Sequence, residues 1–294
     1  MLGTSCMVPT KERNVSAIYL EFKGEGILFD CGEGTQRQMS IAGISRRKVQ
    51  KVFISHWHGD HVSGLIGLIQ TLSGEESSRL EVYGPKGSST RITHLLQTVC
   101  FDNKVDVAVF ETTATTEKVI CETDEYCVSA INLDHTIPAL GYAFTEKDRR
   151  RITVSATKAA GIPEGPLLGK IQQGKSIQFE GKKYSPDDLS HVVQGKRISV
   201  VMDTGFTQNA ITIAKNADVL ICEATYMEKH VDRGDAYKHL TALQAAQIAS
   251  AAHAKKLIMT HFSQRYTDIS VLEDEARSVF PESYAGFDFM KIKV

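Results

Sequence analysis

The segment Ser55-His56-Trp57-His58-Gly59-Asp60-His61 constrains this chain more than any other. It places four metal-capable side chains, His56, His58, Asp60 and His61, within six residues. An apolar run at 51–54 leads into it, and a longer run with helical spacing, 62–72, follows. That order predicts a buried strand that delivers ionisable groups at its tip and then a helix. Imidazole and carboxylate donors together suit zinc or a similar divalent ion. A tight turn lets His56 and His58 point one way and Asp60 and His61 another, so a single loop can serve two adjacent metals.

Short runs rich in Val, Ile, Leu, Phe and Tyr recur at 17–22, 26–31, 51–56, 80–83, 126–133, 141–145, 198–203, 218–223 and 256–261, and they read as strands. Helical spacing lies between them at 62–72, 88–99, 207–216, 241–254 and 269–279, with Ser88 and Thr241 placed to cap or open their helices. Strands and helices alternate in both halves. This predicts an α/β sandwich, two sheets covered by helices, rather than separate domains. Four of the predicted strands end in Asp30, His56, Asp203 and His261. An apolar strand with an ionisable group at its end is how α/β folds build sites.

At 294 residues and 42% hydrophobic content the chain can bury one large core or two modest ones. Its 23% of charged residues is that of an ordinary soluble globular protein, and no apolar stretch is long enough to span a bilayer. The start lacks the basic region and apolar core of a secretory signal. The six cysteines are scattered without a C-x-x-C pair and read as reduced thiols of a cytosolic protein. The net charge of −1 does not advertise nucleic-acid binding, but it hides a local excess. Between residues 146 and 183 nine basic residues face four acidic ones, which leaves the remainder of the chain at −6. From this segment alone, a solvated surface and a basic protrusion that grips a polyanion are equally good readings. Within it, 161–166 holds two Gly and two Pro, which argues against a regular element.

The H-x-H-x-D-H signature resembles that of the metallo-β-lactamase superfamily. Leu2-Gly3-Thr4-Ser5, Pro9-Thr10-Lys11-Glu12-Arg13-Asn14 and Phe29-Asp30-Cys31-Gly32-Glu33-Gly34-Thr35-Gln36 narrow the likeness to the ribonuclease Z family, the tRNA 3′-processing endonucleases, over nearly the whole chain. The resemblance implies an αββα sandwich, the metallo-β-lactamase fold, as a single domain over 1–294, with a flexible basic arm protruding at 146–183. It implies two zinc ions per subunit, with manganese or another divalent ion as substitute. His56, His58 and His135 would hold one, Asp60, His61 and His261 the other, and Asp203 would bridge them. Met202 stands where the family usually has Gly before that Asp.

Two adjacent ions can activate water and neutralise phosphate oxygens. The resemblance gives Glu223 and His239 the task of protonating the ribose 3′ oxygen as it leaves, and gives Asp60 a second task, orienting the attacking water or acting as its base. It makes the arm a clamp on the tRNA elbow, with contacts from Arg149, Arg150, Arg151, Lys158 and Lys170, in a homodimer. Lys11, Arg13 and Arg37 would help seat RNA at the metals. The implied activity is removal of the 3′ trailer of precursor tRNA in the cytoplasm, leaving a 3′-hydroxyl on the tRNA and a 5′-phosphate on the trailer. The family opens with an apolar strand before Leu-Gly-Thr, whereas Met1 directly precedes Leu2 here, which implies either a truncated chain or a shortened strand; a missing first strand would expose a sheet edge. His94, His191, His230 and His253 lie in no matching motif and are assigned to packing or surface. Two rival readings use the same residues. One is a small-molecule phosphodiesterase or other hydrolase of this fold, for which a basic arm has no use. The other is an RNA-binding module without metal, which would lack tightly bound ions.

Overall fold

The computed structural model describes residues 1–74 and 79–294. Its contacts fall into two compact units: residues 1–121, 128–144 and 197–294 form the first, and residues 122–127 and 145–196 the second.

In the first unit the N-terminal half builds a five-stranded sheet in the order β1 (Ile18–Phe22), β2 (Glu25–Phe29), β3 (Val49–Phe53), β4 (Arg79–Pro85), β5 (Asp106–Thr112). Lys23 and Gly24, both at positive φ (50° and 91°), turn β1 into an antiparallel hairpin with β2. From β2 to β5 the strands run parallel. Parallel strands are covered on both faces, so Ile27-Leu28-Phe29 and Val52-Phe53-Ile54 are apolar throughout rather than alternating. Phe29, Phe53, Tyr83 and Phe110 occupy matching register positions in β2 to β5. They stack in a row with ring centroids 5.4, 4.7 and 4.8 Å apart.

The chain continues through β6 (Lys118–Glu122), β7 (Tyr126–Leu133) and β8 (Ala139–Glu146), then β9 (Arg149–Ile152), β10 (Ile177–Phe179), β11 (Lys182–Tyr184) and β12 (Ser190–Val193), and finally β13 (Arg197–Val201), β14 (Val219–Glu223), β15 (Leu257–Thr260) and β16 (Ser283–Ala285). The second sheet has the order β16-β15-β14-β13-β8-β7-β6, with β13 to β16 parallel. Tyr142 of β8 joins the two sheets: its ring lies 5.4 Å from Phe53 and 6.0 Å from Phe29, and its hydroxyl donates to the Ile54 carbonyl at 2.6 Å.

Each sheet carries helices on its other side. Met39, Leu65, Leu68 and Ile92, from helices Thr35–Ile41, Leu65–Leu72 and Ser88–Gln97, share a core with Leu28, Val52 and Val82. Helices Gln208–Ala214, Ala242–Ala251 and Ser270–Arg277 pack Ala210, Ala214, Ala245, Ala249 and Leu272 against Leu220, Cys222 and Met259. The helix–sheet–sheet–helix order is the αββα sandwich that the sequence predicts. Thr241 opens its helix with a capping box, accepting from Gln244 N at 3.2 Å while the Gln244 side chain accepts from Thr241 N at 3.0 Å. Ser88 is the first residue of its helix, after Gly87 at φ 95°. Strands β5, β6 and β16 carry no strand signal in the sequence analysis. β5 is an exposed edge strand without a buried run, and β16 has only three residues.

The second unit has a small core of its own, Ile162, Ile171, Ile177 and Leu189. β9 pairs antiparallel with β12, and β10 with β11 across Glu180 and Gly181, both at positive φ (49° and 75°). Helices Val154–Ala159 and Pro166–Gln172 flank 161–165, and Pro166 takes the first position of its helix, where its missing N–H costs nothing. Charge marks out 146–183; the compact unit is wider because Leu189 completes its core and strand β12 pairs with β9.

Candidate metal centre

Candidate ligands stand in the first unit just beyond the C-terminal ends of strands: His56 and His58 after β3, His135 after β7, Asp203 after β13, His261 after β15. Parallel pairing sets Val201 level with Cys222 and Glu223 level with Thr260, so Asp203, Glu223 and His261 arrive side by side. Asp60 and His61 come from the short helix Gly59–Val62. The loop behind it is pressed close: Cys31 N donates to the His61 carbonyl at 2.7 Å, and a Cβ on Gly32 would lie 2.2 Å from the Asp60 carbonyl.

Two groups result. His56 Nε2 and His135 Nε2 both face His58 Nδ1, at 3.0 and 3.2 Å. Asp203 Oδ2 is 3.5 Å from His56 Nε2 and 3.9 Å from His135 Nε2. In the second group His61 Nε2 and His261 Nε2 are 3.2 Å apart, and each is within 3.5 Å of Asp60 Oδ2. Asp203 Oδ1 is 3.5 Å from His61 Nε2 and 3.3 Å from His261 Nδ1, so one carboxylate offers an oxygen to each group.

These residues fit a pair of divalent ions. Asp203 Oδ1 is buried and accepts no hydrogen bond, an orphaned charge-bearing atom that a cation would satisfy. Two imidazole nitrogens that face each other can share only one proton, whereas a cation between three of them satisfies all. Metal–ligand bonds of about 2.0–2.1 Å in a tetrahedron separate neighbouring donors by about 3.4 Å, within the observed range. Burial first, and the neighbouring histidines next, push His56 well below its usual value, and burial also lowers His58 and His135. All three are thereby neutral, as ligation requires. Burial alone would raise Asp203, but His261, His61, His56 and His239 outweigh it and hold the carboxyl well below the usual range.

A second layer orients the ligands. Asp30 Oδ2 accepts from His61 Nδ1 at 2.6 Å and from the Ser55 hydroxyl at 2.8 Å, while Oδ1 accepts from Ser55 N at 2.7 Å. Lys238 O holds His135 Nδ1 at 3.1 Å, and Met7 N donates to Asp60 Oδ2 at 2.7 Å. Asp30 and His261 both sit at positive φ, 58° and 61°, a conformation that costs energy and collects at sites. Met202 is buried and keeps an ordinary φ, so this position needs no glycine. Asp30→Asn is expected to weaken metal binding by about 10–100-fold, because a carboxylate that fixes a ligating imidazole also raises its basicity. Metal titration against a chelator checks this, and an unchanged affinity would remove Asp30 from the centre.

Glu223 is fully buried at the end of β14. Its Oε1 accepts from Thr204 N at 2.7 Å and its Oε2 from the Thr225 hydroxyl at 2.6 Å. Both oxygens lie 3.1–3.2 Å from His239 Nδ1. His239 is also near Asp203, at 3.8 Å.

Of the residues assigned to RNA, Lys11, Arg37, Arg149, Arg151, Lys158 and Lys170 are exposed. Arg150 is half-buried and pairs with Asp187 at 2.6 Å. Arg13 is different: it is buried, its guanidinium donates to Tyr266 O at 2.9 Å, and Asp288 lies close by. It holds the N-terminal segment in place and does not present its charge to solvent. Asp30 is legible in the sequence as a strand-end carboxylate, but its partner is not. Thr204 and Thr225 carry no sequence signal beyond standing next to Asp203 and Glu223.

A family profile described as "Anti-Pycsar protein Apyc1" matches residues 1–158. A ribonuclease Z from Archaeoglobus fulgidus is 40% identical, covering 100% of this chain and 96% of the relative. One from Microcystis aeruginosa is also 40% identical, covering 100% and 95%. Among solved structures, the short form of human tRNase Z superposes with a TM-score of 0.71 at 27% identity, over 99% of this chain and 96% of that one. YhfI from Bacillus subtilis, a metallo-β-lactamase fold protein, shares the fold with a TM-score of 0.68 at 16% identity, over 98% and 94%. By likeness over its whole length the chain belongs to the ribonuclease Z family, and residues 1–158 also belong to the family of the Anti-Pycsar protein Apyc1.

Proposed function

We propose that this protein removes the 3′ trailer of precursor tRNA as a metal-dependent endoribonuclease with two zinc ions, leaving a 3′-hydroxyl on the tRNA and a 5′-phosphate on the trailer. The observation that carries the reading is the pair of ligand groups His56–His58–His135–Asp203 and Asp60–His61–His261, with the Glu223–His239 pair adjoining them through Asp203 and His261. Divalent ions held by His56, His58, His135, Asp60, His61, His261 and Asp203 supply charge neutralisation at the phosphate and activation of the attacking water. Asp60 commits Oδ2 to the ligand set, and no hydrogen bond among the described residues uses its other oxygen, which orients that water.

The P–O3′ bond breaks as the water oxygen bonds to phosphorus, and the leaving oxygen needs a proton. Burial disfavours a charged His239, but Glu223 and Asp203 outweigh it and raise the imidazole to about 9. His239 anchors Nδ1 on Glu223, which favours the charged imidazole, and keeps Nε2–H for the leaving oxygen. Glu223 stays fixed for this purpose by Thr204 and Thr225.

Arg149 and Arg151 share the exposed face of β9, and Lys158 and Lys170 are exposed on the unit's helices. Such a display suits phosphate contact and shape recognition rather than base reading. The reading brings with it a homodimer and a cytoplasmic setting, as the family resemblance implies. Among the described residues no helix is long and apolar enough to cross a membrane.

The test is to map the ends produced from one trailer-bearing precursor, with the Asp60→Ala protein as control. A single cut after the unpaired nucleotide that follows the acceptor stem is expected, and an intact precursor with metal occupancy confirmed would overturn the reading. Replacing Arg149, Arg151, Lys158 and Lys170 together by alanine is expected to raise KM for the precursor by about 10-fold and to flatten its salt dependence by about three log–log units. Turnover of bis(p-nitrophenyl) phosphate should be spared. Equal loss on both substrates would count against the arm as an RNA contact, and hydrolysis of the small ester without any cut in tRNA would mark a small-molecule phosphodiesterase.

A further inference from the structure

Two aromatic side chains stand exposed close in the chain to Asp203 and His239, Phe206 on a loop and Tyr237 as the last residue of the helix Val231–Tyr237. Phe206, three residues after Asp203, is 47% exposed, and Tyr237, two residues before His239, is 56% exposed. Exposed apolar residues scattered singly need no explanation. These two are not independent, because Asp134 ties the loop of Phe206 to Lys238, the residue that follows Tyr237. Gly205 N donates to the Asp134 carbonyl at 2.8 Å, Asp134 N donates to the Thr204 hydroxyl oxygen at 3.2 Å, and Lys238 Nζ pairs with the Asp134 carboxylate. The same Lys238 holds His135 through its carbonyl and sits at φ 55°. The neighbours of both rings, Thr204 and Gly205 on one side and Lys238 on the other, are therefore anchored to 134–135, and both rings stand in solvent.

Neither ring has an aromatic or cationic partner among the described residues. That separates them from Phe110, which is 41% exposed yet stacks on Tyr83. It also separates them from Tyr226, which Arg265 covers at 5.2 Å. An exposed tyrosine and an exposed phenylalanine without ring or cation partners, flanked by anchored residues, offer a stacking platform for unpaired bases, which every base can use through its π-face.

We infer that Phe206 and Tyr237 form a stacking site for the unpaired nucleotide whose 3′ oxygen leaves, and so help set where the chain is cut. The inference rests on the endoribonuclease reading above. Direction follows from chemistry. His239 protonates the 3′ oxygen on the tRNA side of the broken bond, so rings beside His239 and Asp203 meet the base of that nucleotide rather than the trailer. The acceptor stem ends one nucleotide earlier, and this base has no pairing partner to compete with the rings. Phe206 and Tyr237 are positioning residues in this account: they touch the base, not the reacting atoms.

The experiment uses the full-length metal-loaded protein and a precursor tRNA with 2-aminopurine as the unpaired nucleotide and a phosphorothioate at the scissile bond to slow cleavage. Stacking quenches 2-aminopurine, so binding to the wild type is expected to lower its fluorescence at least about twofold. Phe206→Ala with Tyr237→Ala should abolish the quench, raise KM about 10-fold and spread the cut over neighbouring bonds. Phe206→Trp and Tyr237→Phe should restore all three, while Phe206→Leu, of similar bulk without a ring, should not. Metal content equal to the wild type in each variant certifies the fold. A quench that persists in the double alanine variant, or a bright base in a wild-type complex that still cuts correctly, overturns the stacking site and leaves the endoribonuclease reading intact. A wild type that neither binds nor cuts the RNA overturns that reading itself.

Discussion

Asp203→Asn is expected to strip metal from both halves of the centre and to lower cleavage of precursor RNA by about 10³-fold or more. The size of the effect follows from the position of one side chain. Asp203 is 2% exposed, and its two oxygens face different groups: Oδ2 lies near His56 and His135, Oδ1 near His61 and His261. Asparagine keeps the shape and the burial but removes the negative charge. It also turns an NH2 donor toward nitrogens or a cation on one of the two sides. Four surrounding histidines then lose the carboxylate that holds them together. Elemental analysis should find fewer than two ions per chain, against two in the wild type. A variant that retained both ions and cut within 10-fold of the wild type would show that Asp203 does not bridge.

His239→Ala is expected to lower RNA cleavage by about 10²–10⁴-fold while leaving the metal content intact. The imidazole stands outside the His56–His58–His135 and Asp60–His61–His261 groups, and its Nδ1 is engaged by Glu223. Its contribution is a proton delivered to an alkoxide. A phosphodiester that leaves as p-nitrophenolate needs no proton at neutral pH, so its hydrolysis should fall far less, within about 10-fold. Glu223→Gln should show the same leaving-group pattern more mildly, because Gln still accepts from Nδ1–H but no longer stabilises the charge. Equal losses on RNA and on the p-nitrophenyl ester would assign His239 to metal binding or substrate placement instead. The carboxylate and the imidazole are expected to act as a unit, so the double variant should be little worse than His239→Ala alone.

Much of the fold was legible because burial imposes a pattern on the chain. Strands covered on both faces must be apolar throughout, which is why 26–31, 51–56, 198–203, 218–223 and 256–261 announced themselves. What lacked that pressure stayed hidden. β5 has one strand neighbour and an exposed face, β16 is a three-residue edge strand, and the polar helix Thr35–Ile41 buries only Thr35, Gln38 and Met39. Arg13 misled for a related reason. A cation in a polar stretch reads as solvent-facing, and its burial depends on the carbonyl of Tyr266 and the charge of Asp288, both more than 250 residues away. The basic arm was visible as charge. Its extent was not, because Ile162, Ile171, Ile177 and Leu189 are too widely spaced to show a period.

By itself the sequence determined the kinds of donor and the elements that carry them: a histidine-rich loop after one strand, and acids and histidines at the ends of others. Residue type settles which chemistry is possible, and local hydrophobic pattern settles where strands end. Only the tertiary structure decided which donors meet. His61 and His261 lie 200 positions apart in the chain and 3.2 Å apart in space. Parallel register levels the strand ends, and two sheets facing across Tyr142 bring one set of ends to the other. It also decided that Asp30 serves His61, that Arg13 is buried against Tyr266 and Asp288, and that Phe206 and Tyr237 stand exposed. Each of these depends on distances between segments remote in the chain, which spacing along a sequence does not encode.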